Sequence, residues 1–119
     1  MKLFPMLSCA DIERSLALYR DLLGGVETYR FEGFVGLTLG DSEIGLGAMA
    51  GPPIHGRPQR PATGHRIELC VYVDDVDATY REAGERGFEQ VVTPADMPWD
   101  ERVAYIADPD GNLLMLAQP

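Results

Sequence analysis

The sequence lacks long hydrophobic runs and has few cysteines. No apolar segment approaches the roughly 20 residues that a membrane-spanning helix needs, so we expect no membrane partner. The stretch after Met1 is too short for a secretory signal and has no cleavage site. Cys9 and Cys70 lie far apart and outside any zinc-type spacing. We therefore expect a reduced, cytoplasmic protein.

Basic residues are also scarce. The chain has 10 Lys and Arg residues against 19 Asp and Glu residues, a formal net charge of −9 and a pI near 4.5. Binding to nucleic acid needs clustered basic side chains that displace counterions, so we expect no nucleic-acid partner. An acidic surface can steer a cationic small molecule, or it can simply aid solubility. Both interpretations remain open from the sequence.

The chain contains one pattern twice. Asp11 follows a strand-like run ending at Cys9, and Asp75 follows one ending at Val73, 64 positions later in each case. Each Asp is placed to cap a helix with a single apolar stripe. Glycine is expected to end both helices, at Gly24-Gly25 and at Gly87. The two stripes are Ile12, Leu16, Tyr19 and Leu23, and Val76, Tyr80, Ala83 and Gly87.

Three strand-like segments follow each helix, which predicts an α+β fold of two βαβββ modules in tandem. The first module spans residues 1–49 and the second residues 65–119, joined by a linker rich in Pro and Gly at residues 50–64. One module alone would have a curved sheet with a helix on one face and nothing on the other. Pairing two such sheets would form a cup. The predicted strands are 3–9, 26–31, 34–39, 43–48, 67–73, 88–93, 102–107 and 112–117.

The run from Asp108 to Gly111 predicts a type I turn before the closing strand. Together with the repeat and the run Val73-Asp74-Asp75-Val76-Asp77, it resembles the vicinal oxygen chelate superfamily of glyoxalases, bleomycin-resistance proteins and extradiol dioxygenases. The resemblance covers nearly the whole chain. It implies a glyoxalase-like fold, a small-molecule ligand and a homodimer, in which modules are sometimes exchanged.

In the metal-dependent relatives, four strands each supply one metal ligand. The resemblance places these positions at Phe4, Gly45, Glu68 and Met115. Only Glu68 offers a hard ligand, and a catalytic metal normally needs three protein ligands. His55 and His65 are the only histidines, and we expect both in loops or on the surface. We therefore expect no metal and no cofactor.

Strand alternation points a set of side chains into the cup. Glu68 could contact a cationic ligand, serve as a general base, or lie at the rim beside an arginine such as Arg102. The aromatic and methionine side chains could form an adaptable pocket or could simply fill the cup. In bleomycin-resistance relatives, a tryptophan in a similar loop helps to stack on planar drug groups. The predicted ligand-binding residues are Phe4, Met6, Glu68, Cys70, Tyr72, Trp99, Arg102 and Met115.

The leading hypothesis is a metal-independent protein that sequesters a small planar molecule such as an antibiotic, for which a positive charge would suit the acidic chain. The alternative is a lyase, isomerase or dioxygenase of the same superfamily, with Glu68 as the residue to watch. A third possibility is a vestigial cup in a protein that associates with another protein. Cys70 has no nearby histidine to activate it, which favours a packing role over a nucleophilic one.

Overall fold

The structure is a computed structural model that describes residues 2–49, 55–57, 63–65 and 67–119. The chain divides into two compact units, Met1–Gly64 and His65–Pro119, here called the first and the second module. Most of the predicted linker at residues 50–64 lies outside the described residues.

The first module is a four-stranded mixed sheet with one helical segment. Its strands run in the order β1-β4-β3-β2, with β1 parallel to β4 and the other pairs antiparallel. The helix α1 continues directly into a turn of π-helix. The elements are β1 (Met6–Cys9), α1 (Ile12–Leu16) with its π-helical continuation (Ala17–Leu22), β2 (Val26–Phe31), β3 (Phe34–Leu39) and β4 (Ser42–Ala48).

The second module repeats this topology with the order β5-β8-β7-β6, in which β5 is parallel to β8. The predicted tandem βαβββ fold is therefore confirmed. No helix among the described residues is long and apolar enough to cross a membrane. The elements are β5 (Leu69–Tyr72), α2 (Val76–Glu85), β6 (Glu89–Asp96), β7 (Arg102–Ala107) and β8 (Leu113–Gln118).

Both helices begin at the predicted aspartates. The Asp11 side chain accepts hydrogen bonds from the backbone N–H groups of Glu13 and Arg14, and Asp75 accepts one from Ala78, 2.9 Å away. These bonds satisfy N–H groups that have no partner within the helix. Gly24 and Gly87 follow the last helical turns with φ of +79° and +85°, the left-handed conformation that glycine adopts without strain.

The first helix differs from the regular α-helix that its stripe predicts. Its second half is wound as a π-helix, in which Leu23 N–H bonds to the carbonyl of Leu18, five residues earlier. This wider winding buries Leu18 and Tyr19, whereas Leu23 stays half-buried. In α2, Val76 and Ala83 are buried as predicted, but Tyr80 is only half-buried and Gly87 is exposed.

Two strands begin two or more residues later than predicted. Pro5 has no N–H to donate, and β1 starts after it, at Met6, rather than at Leu3. The fifth strand starts at Leu69, so Ile67 precedes it and is 72% exposed instead of packing beneath the sheet. β6 extends beyond its predicted end to Asp96, with irregular register on both sides of Val92.

The predicted turn before β8 forms around Asp108. Gly111 N–H bonds to the carbonyl of Asp108 at 3.0 Å, the i to i+3 bond of a β-turn. The buried Asp108 carboxylate accepts hydrogen bonds from the backbone N–H groups of Asp110 and Asn112 and from the Asn112 side chain. This turn fixes the start of β8, the strand that carries Met115.

Candidate functional site

Each sheet has two faces. One face packs apolar residues into the core of its module, and the other has the side chains that alternate with them along the strands. On the core side, the first module buries Leu7, Val35, Leu37, Ile44 and Leu46, and the second buries Ala104, Ile106, Leu114 and Leu116. By strand alternation, the residues between them lie on the other side. We call these sides the first open face (Phe4, Met6, Tyr29, Phe34, Gly36 and Gly45) and the second open face (Glu68, Cys70, Tyr72, Tyr105 and Met115).

The first open face is aromatic and contains no charged group among these residues. Met6 pairs with Gly45 across β1 and β4 and is 65% exposed. The rings of Tyr29 and Phe34 lie with their centroids 6.2 Å apart. Phe34 covers Gly45, and Phe4 approaches the same glycine from the β1 side. The predicted inward position of Gly45 is thus filled by neighbouring aromatic rings.

On the second open face, residues of three neighbouring strands form one row across the sheet. Cys70 of β5 pairs with Met115 of β8, and Met115 pairs with Tyr105 of β7. Tyr72 lies one pair further along β5, opposite Ala117, and is 65% exposed. Alternation therefore correctly places Cys70, Tyr72 and Met115 on one face, and Tyr105 joins them there.

Glu68 lies just before β5 and is hydrogen-bonded to Tyr105. The Tyr105 hydroxyl donates to Glu68 Oε1 at 3.0 Å. Burial raises the pKa of Tyr105, and the bond to the anionic carboxylate raises it further, because both favour the neutral phenol. Arg102, one of the partners that the sequence left open for Glu68, binds Asp77 and Asp96 instead.

A second carboxylate, Glu101, holds aromatic groups at the same face. The indole Nε1 of Trp99 donates to Glu101 Oε1 at 2.8 Å. Hydrogen bonding to Glu101 is also the largest cause of a raised pKa at Tyr72, followed by the charge of that carboxylate. Trp99 is 57% exposed, so its ring is held at its polar end and open to solvent elsewhere.

Cys70 lies close enough to both carboxylates to feel their charge. The residue is exposed, but partial loss of solvation raises the pKa of its thiol, and the charges of Glu101 and Glu68 raise it further. A raised pKa keeps the group protonated at neutral pH, and only the thiolate is a good nucleophile. This environment disfavours a nucleophilic role, whereas the exposure of Cys70 does not fit the expected packing role.

Arg102 binds groups on the helix and on the neighbouring strand. Its Nη2 donates to Asp77 Oδ1 of α2 at 2.9 Å, and its Nη1 to Asp96 Oδ1 of β6 at 3.0 Å. Strand alternation agrees, because Arg102 has the parity of the core residues Ala104 and Ile106. This geometry therefore does not support Arg102 as a ligand-binding residue.

The family's metal positions do not fit a metal ion. Phe4 and Gly45 have no donor atom, the Met115 thioether is a poor ligand for hard or borderline divalent ions, and Glu68 accepts the Tyr105 hydrogen bond. His55 and His65 are exposed, and their rings bond to the Arg57 N–H and the Gly111 carbonyl. Within the described ranges, no three His, Cys, Asp or Glu side chains gather closely enough to hold a metal.

Sequence reasoning missed several groups that shape the open faces, among them Tyr105, Phe34 and Glu101. Tyr105 could have been found from alternation along β7, since it lies between the core residues Ala104 and Ile106. Phe34 shares the parity of Gly36 in β3 and could have been found in the same way. Glu101 lies in a loop outside any strand, and no sequence periodicity signals its role.

Comparison with known proteins agrees with this fold. A family model of the Glyoxalase/Bleomycin resistance protein/Dioxygenase superfamily matches residues 4–116. Over 109 residues the chain is 31% identical to a Mycobacterium tuberculosis protein named "Putative glyoxylase CFP32", covering 88% of this chain and 39% of that protein. The chain thus spans about two-fifths of the length of that curated relative.

Two solved structures show the same fold. A glyoxalase-related enzyme from Fulvimarina pelagi has a TM-score of 0.85 at 17% identity, over 98% of this chain and 86% of that chain. A bleomycin resistance determinant encoded on the transposon Tn5 has a TM-score of 0.67 at 23% identity, over 99% of this chain and 97% of that chain. With a family model that extends over nearly the whole sequence and a tandem βαβββ fold that agrees with it, this protein belongs to the Glyoxalase/Bleomycin resistance protein/Dioxygenase superfamily.

Proposed function

We propose that this protein binds a small planar organic cation at its second open face, without a metal, and thereby sequesters it. The observation that carries the proposal is the coupling of aromatic rings to two carboxylates. Tyr105 donates to Glu68, and Trp99 donates to Glu101. Aromatic faces attract cations through their quadrupole, and nearby carboxylates add charge attraction.

The charge of this face favours a cation over a neutral ligand. Among the described residues of the second module, Arg86 pairs with Glu82, and Arg102 pairs with Asp77 and Asp96. Neither Glu68 nor Glu101 has a basic partner in that set. A positively charged ligand would supply the missing counter-charge at a surface rich in aromatic groups.

The lining between the carboxylates suits a flat apolar body. Met115 lies between Cys70 and Tyr105 in the register of the sheet. A thioether adapts its shape and makes favourable contacts with aromatic rings. Such a surface can stack a planar ligand while the two carboxylates contact its charged edge.

The side chains at the family's metal-ligand positions support ligand binding without a metal. Three of the four positions that the family uses for metal ligands hold a ring, a glycine and a thioether, at Phe4, Gly45 and Met115. The transposon-encoded bleomycin resistance determinant has the same fold. By analogy with the resistance described for that protein, we infer that an antibiotic with a planar cationic group is the ligand class.

Binding can be measured with proflavine, a planar fluorescent cation, against fluorescein, a planar anion. We expect proflavine anisotropy to rise on titration with the protein and fluorescein anisotropy to stay unchanged. Glu68→Gln should weaken proflavine binding by roughly tenfold, because the substitution removes one charge from the face. Glu85→Gln is the matched control, since it removes a carboxylate from an exposed position on α2.

Two results would overturn the proposal. One is equal affinity for the anion and the cation, which would show that charge does not select the ligand. The other is stoichiometric Zn, Ni, Mn or Fe in protein purified without chelator, since a bound metal would mean that ligands outside the family positions form a site. A thermal-shift screen with bleomycin and planar antibiotics then identifies the natural class, because a ligand bound only by the folded state raises the melting temperature.

The hydrogen bond between Tyr105 and Glu68 also favours a second candidate, a metal-free enzyme in which Glu68 is the general base. Glu68 can take a proton from a substrate, and the phenol of Tyr105 can then turn its single O–H from Glu68 to a substrate oxygen that gains charge. Turnover of a small carbonyl substrate in metal-free buffer, abolished by Glu68→Gln, would favour this enzyme over the binding protein.

A further inference from the structure

We propose that Glu101 is the positioning residue of the second open face, which sets the ring of Trp99 in one orientation for a stacked ligand. The inference rests on the proposed function and names the group that organises its site. It concerns a residue of the loop between β6 and β7, outside the strands that carry the rest of the face.

The loop fixes Glu101 through its own backbone. Met97 N–H bonds to the Glu101 carbonyl at 2.7 Å, and Asp100 N–H bonds to the Met97 carbonyl at 3.1 Å. Asp100 has φ of +65°, a left-handed conformation that reverses the chain just before Glu101. Glu101 therefore lies at the end of a hydrogen-bonded turn, directly before the first residue of β7.

From this turn the carboxylate holds the indole of Trp99. It accepts the indole N–H of Trp99 at 2.8 Å, within its own loop. It also raises the pKa of Tyr72, on β5, by hydrogen bonding and by charge. The carboxylate that holds the indole therefore also adds negative charge beside β5.

The exposure of Trp99 makes its bond to Glu101 decisive for the orientation of the ring. Trp99 is 57% exposed, so packing against the rest of the protein restrains the ring only partly. An indole anchored at its polar atom keeps its face available for stacking. Fixing the ring before the ligand arrives reduces the conformational entropy lost on binding.

Trp99 is the single tryptophan of the sequence, so fluorescence excited beyond the absorption band of the five tyrosines reports on this residue alone. The experiment compares the full chain with Glu101→Ala, Glu101→Gln and the control Glu85→Ala, first without ligand and then with proflavine. Without ligand, the readouts are acrylamide quenching and fluorescence anisotropy of Trp99. With proflavine, the readout is the Kd.

We expect Glu101→Ala to raise the acrylamide quenching constant up to about twofold and to lower the anisotropy, because the indole loses the bond that holds its polar end. Glu101→Gln should keep both values near those of the unmodified chain, since its amide oxygen can still accept from Nε1. The Kd for proflavine should rise roughly tenfold in Glu101→Ala, through the lost positioning and the lost charge. Glu85→Ala should change none of these quantities.

The tryptophan fluorescence and the proflavine titration test separate claims. Unchanged quenching and anisotropy in Glu101→Ala would overturn the positioning role even if proflavine binds. Absence of proflavine binding to the unmodified chain would overturn the proposed ligand class, while the quenching arm would still decide the positioning role. A Glu101→Gln variant that behaves like Glu101→Ala in quenching would also contradict the inference, because the isosteric amide retains the acceptor.

Discussion

The ring of Phe34 lies over Gly45, with its Cζ atom 2.6 Å and its Cε2 atom 2.7 Å from the place where a β-carbon of residue 45 would stand. Phe4 Cζ is 3.3 Å from the same point. The position that would carry a metal ligand in metal-dependent relatives is therefore covered by aromatic carbon. Glycine is required there by close approach of a side chain, since no unusual backbone angle is recorded for Gly45.

Gly45→Ala should destabilise the first module. The new methyl group forces the end of the half-buried Phe34 ring away from the sheet, which should cost about 1 kcal/mol of unfolding free energy, the low end of overpacking in a core. Urea denaturation measures the change. Gly36→Ala is the matched control because Gly36 pairs with Gly45 in register, yet its β-carbon would lie 3.5 Å from the nearest atom, an ordinary contact. Equal effects of the two substitutions would contradict this account.

The two tyrosines of the second open face should respond to different carboxylates. Glu101→Gln is expected to lower the pKa of Tyr72, and Glu68→Gln to lower that of Tyr105, because each substitution removes the anion that stabilises the neutral phenol. The effect at Tyr105 should be partial, since burial is the larger cause there. Titration of tyrosine Cζ signals by ¹³C NMR measures both values. Each variant is the control for the other, and a crossed response would exclude the assigned pairs.

The thiol of Cys70 should react slowly with Ellman's reagent at neutral pH. Its pKa is raised by burial, then by Glu101 and Glu68, so little thiolate is present. Replacing either carboxylate by glutamine should speed the reaction, whereas Glu85→Gln should leave the rate unchanged. Cys9 is 1% exposed and contributes little in the folded protein. A rate in Glu101→Gln no faster than in the unmodified chain would show that the charge of Glu101 does not act on the thiol.

The ion pair between Asp77 and Arg102 should stabilise the second module in a pH-dependent manner. Hydrogen bonding to Arg102 is the main cause that lowers the pKa of Asp77 in the folded state. A lowered carboxyl pKa gives a contribution that is present above the ordinary Asp pKa and is lost as the pH falls through the lowered value. The unfolding free energies of the unmodified chain and Asp77→Asn should therefore converge on acidification. Asp74→Asn, at an exposed neighbouring position, should show no such convergence.

The hydroxyl of Ser15 is fully buried and has no hydrogen-bond partner among the described residues. Burying an unpaired hydroxyl costs free energy, so Ser15→Ala should raise the unfolding free energy by about 1 kcal/mol. Urea denaturation again gives the value, with Ser8→Ala at an exposed position of β1 as the control. A loss of stability in Ser15→Ala would mean that the hydroxyl bonds within the protein in solution.

Local signals predicted most of the fold. β2, β3 and β7 have their predicted bounds residue for residue, because turn residues flank them. The π-helical winding after Leu16 was not predictable, since it depends on how Leu18 and Tyr19 pack beneath the sheet rather than on local preference.

The candidate site was predicted less completely than the fold. Alternation placed Cys70, Tyr72 and Met115 on one face because it depends only on strand parity. It could not tell that Glu68 bonds to Tyr105 and not to Arg102, because that choice depends on sheet register and on which side of β7 each residue lies.

The strand order of the two sheets has a consequence for biosynthesis. Within the described part of the chain, β1 has β4 as its only neighbour in the sheet, and β5 has β8, so the first strand of each module pairs with the strand made last. As the chain leaves the ribosome, β1 must remain unpaired until β4 emerges, and β5 must wait in the same way for β8. A translation product that stops before β8 would therefore present the unsatisfied backbone of β5 to chaperones and proteases, even after the first sheet has closed.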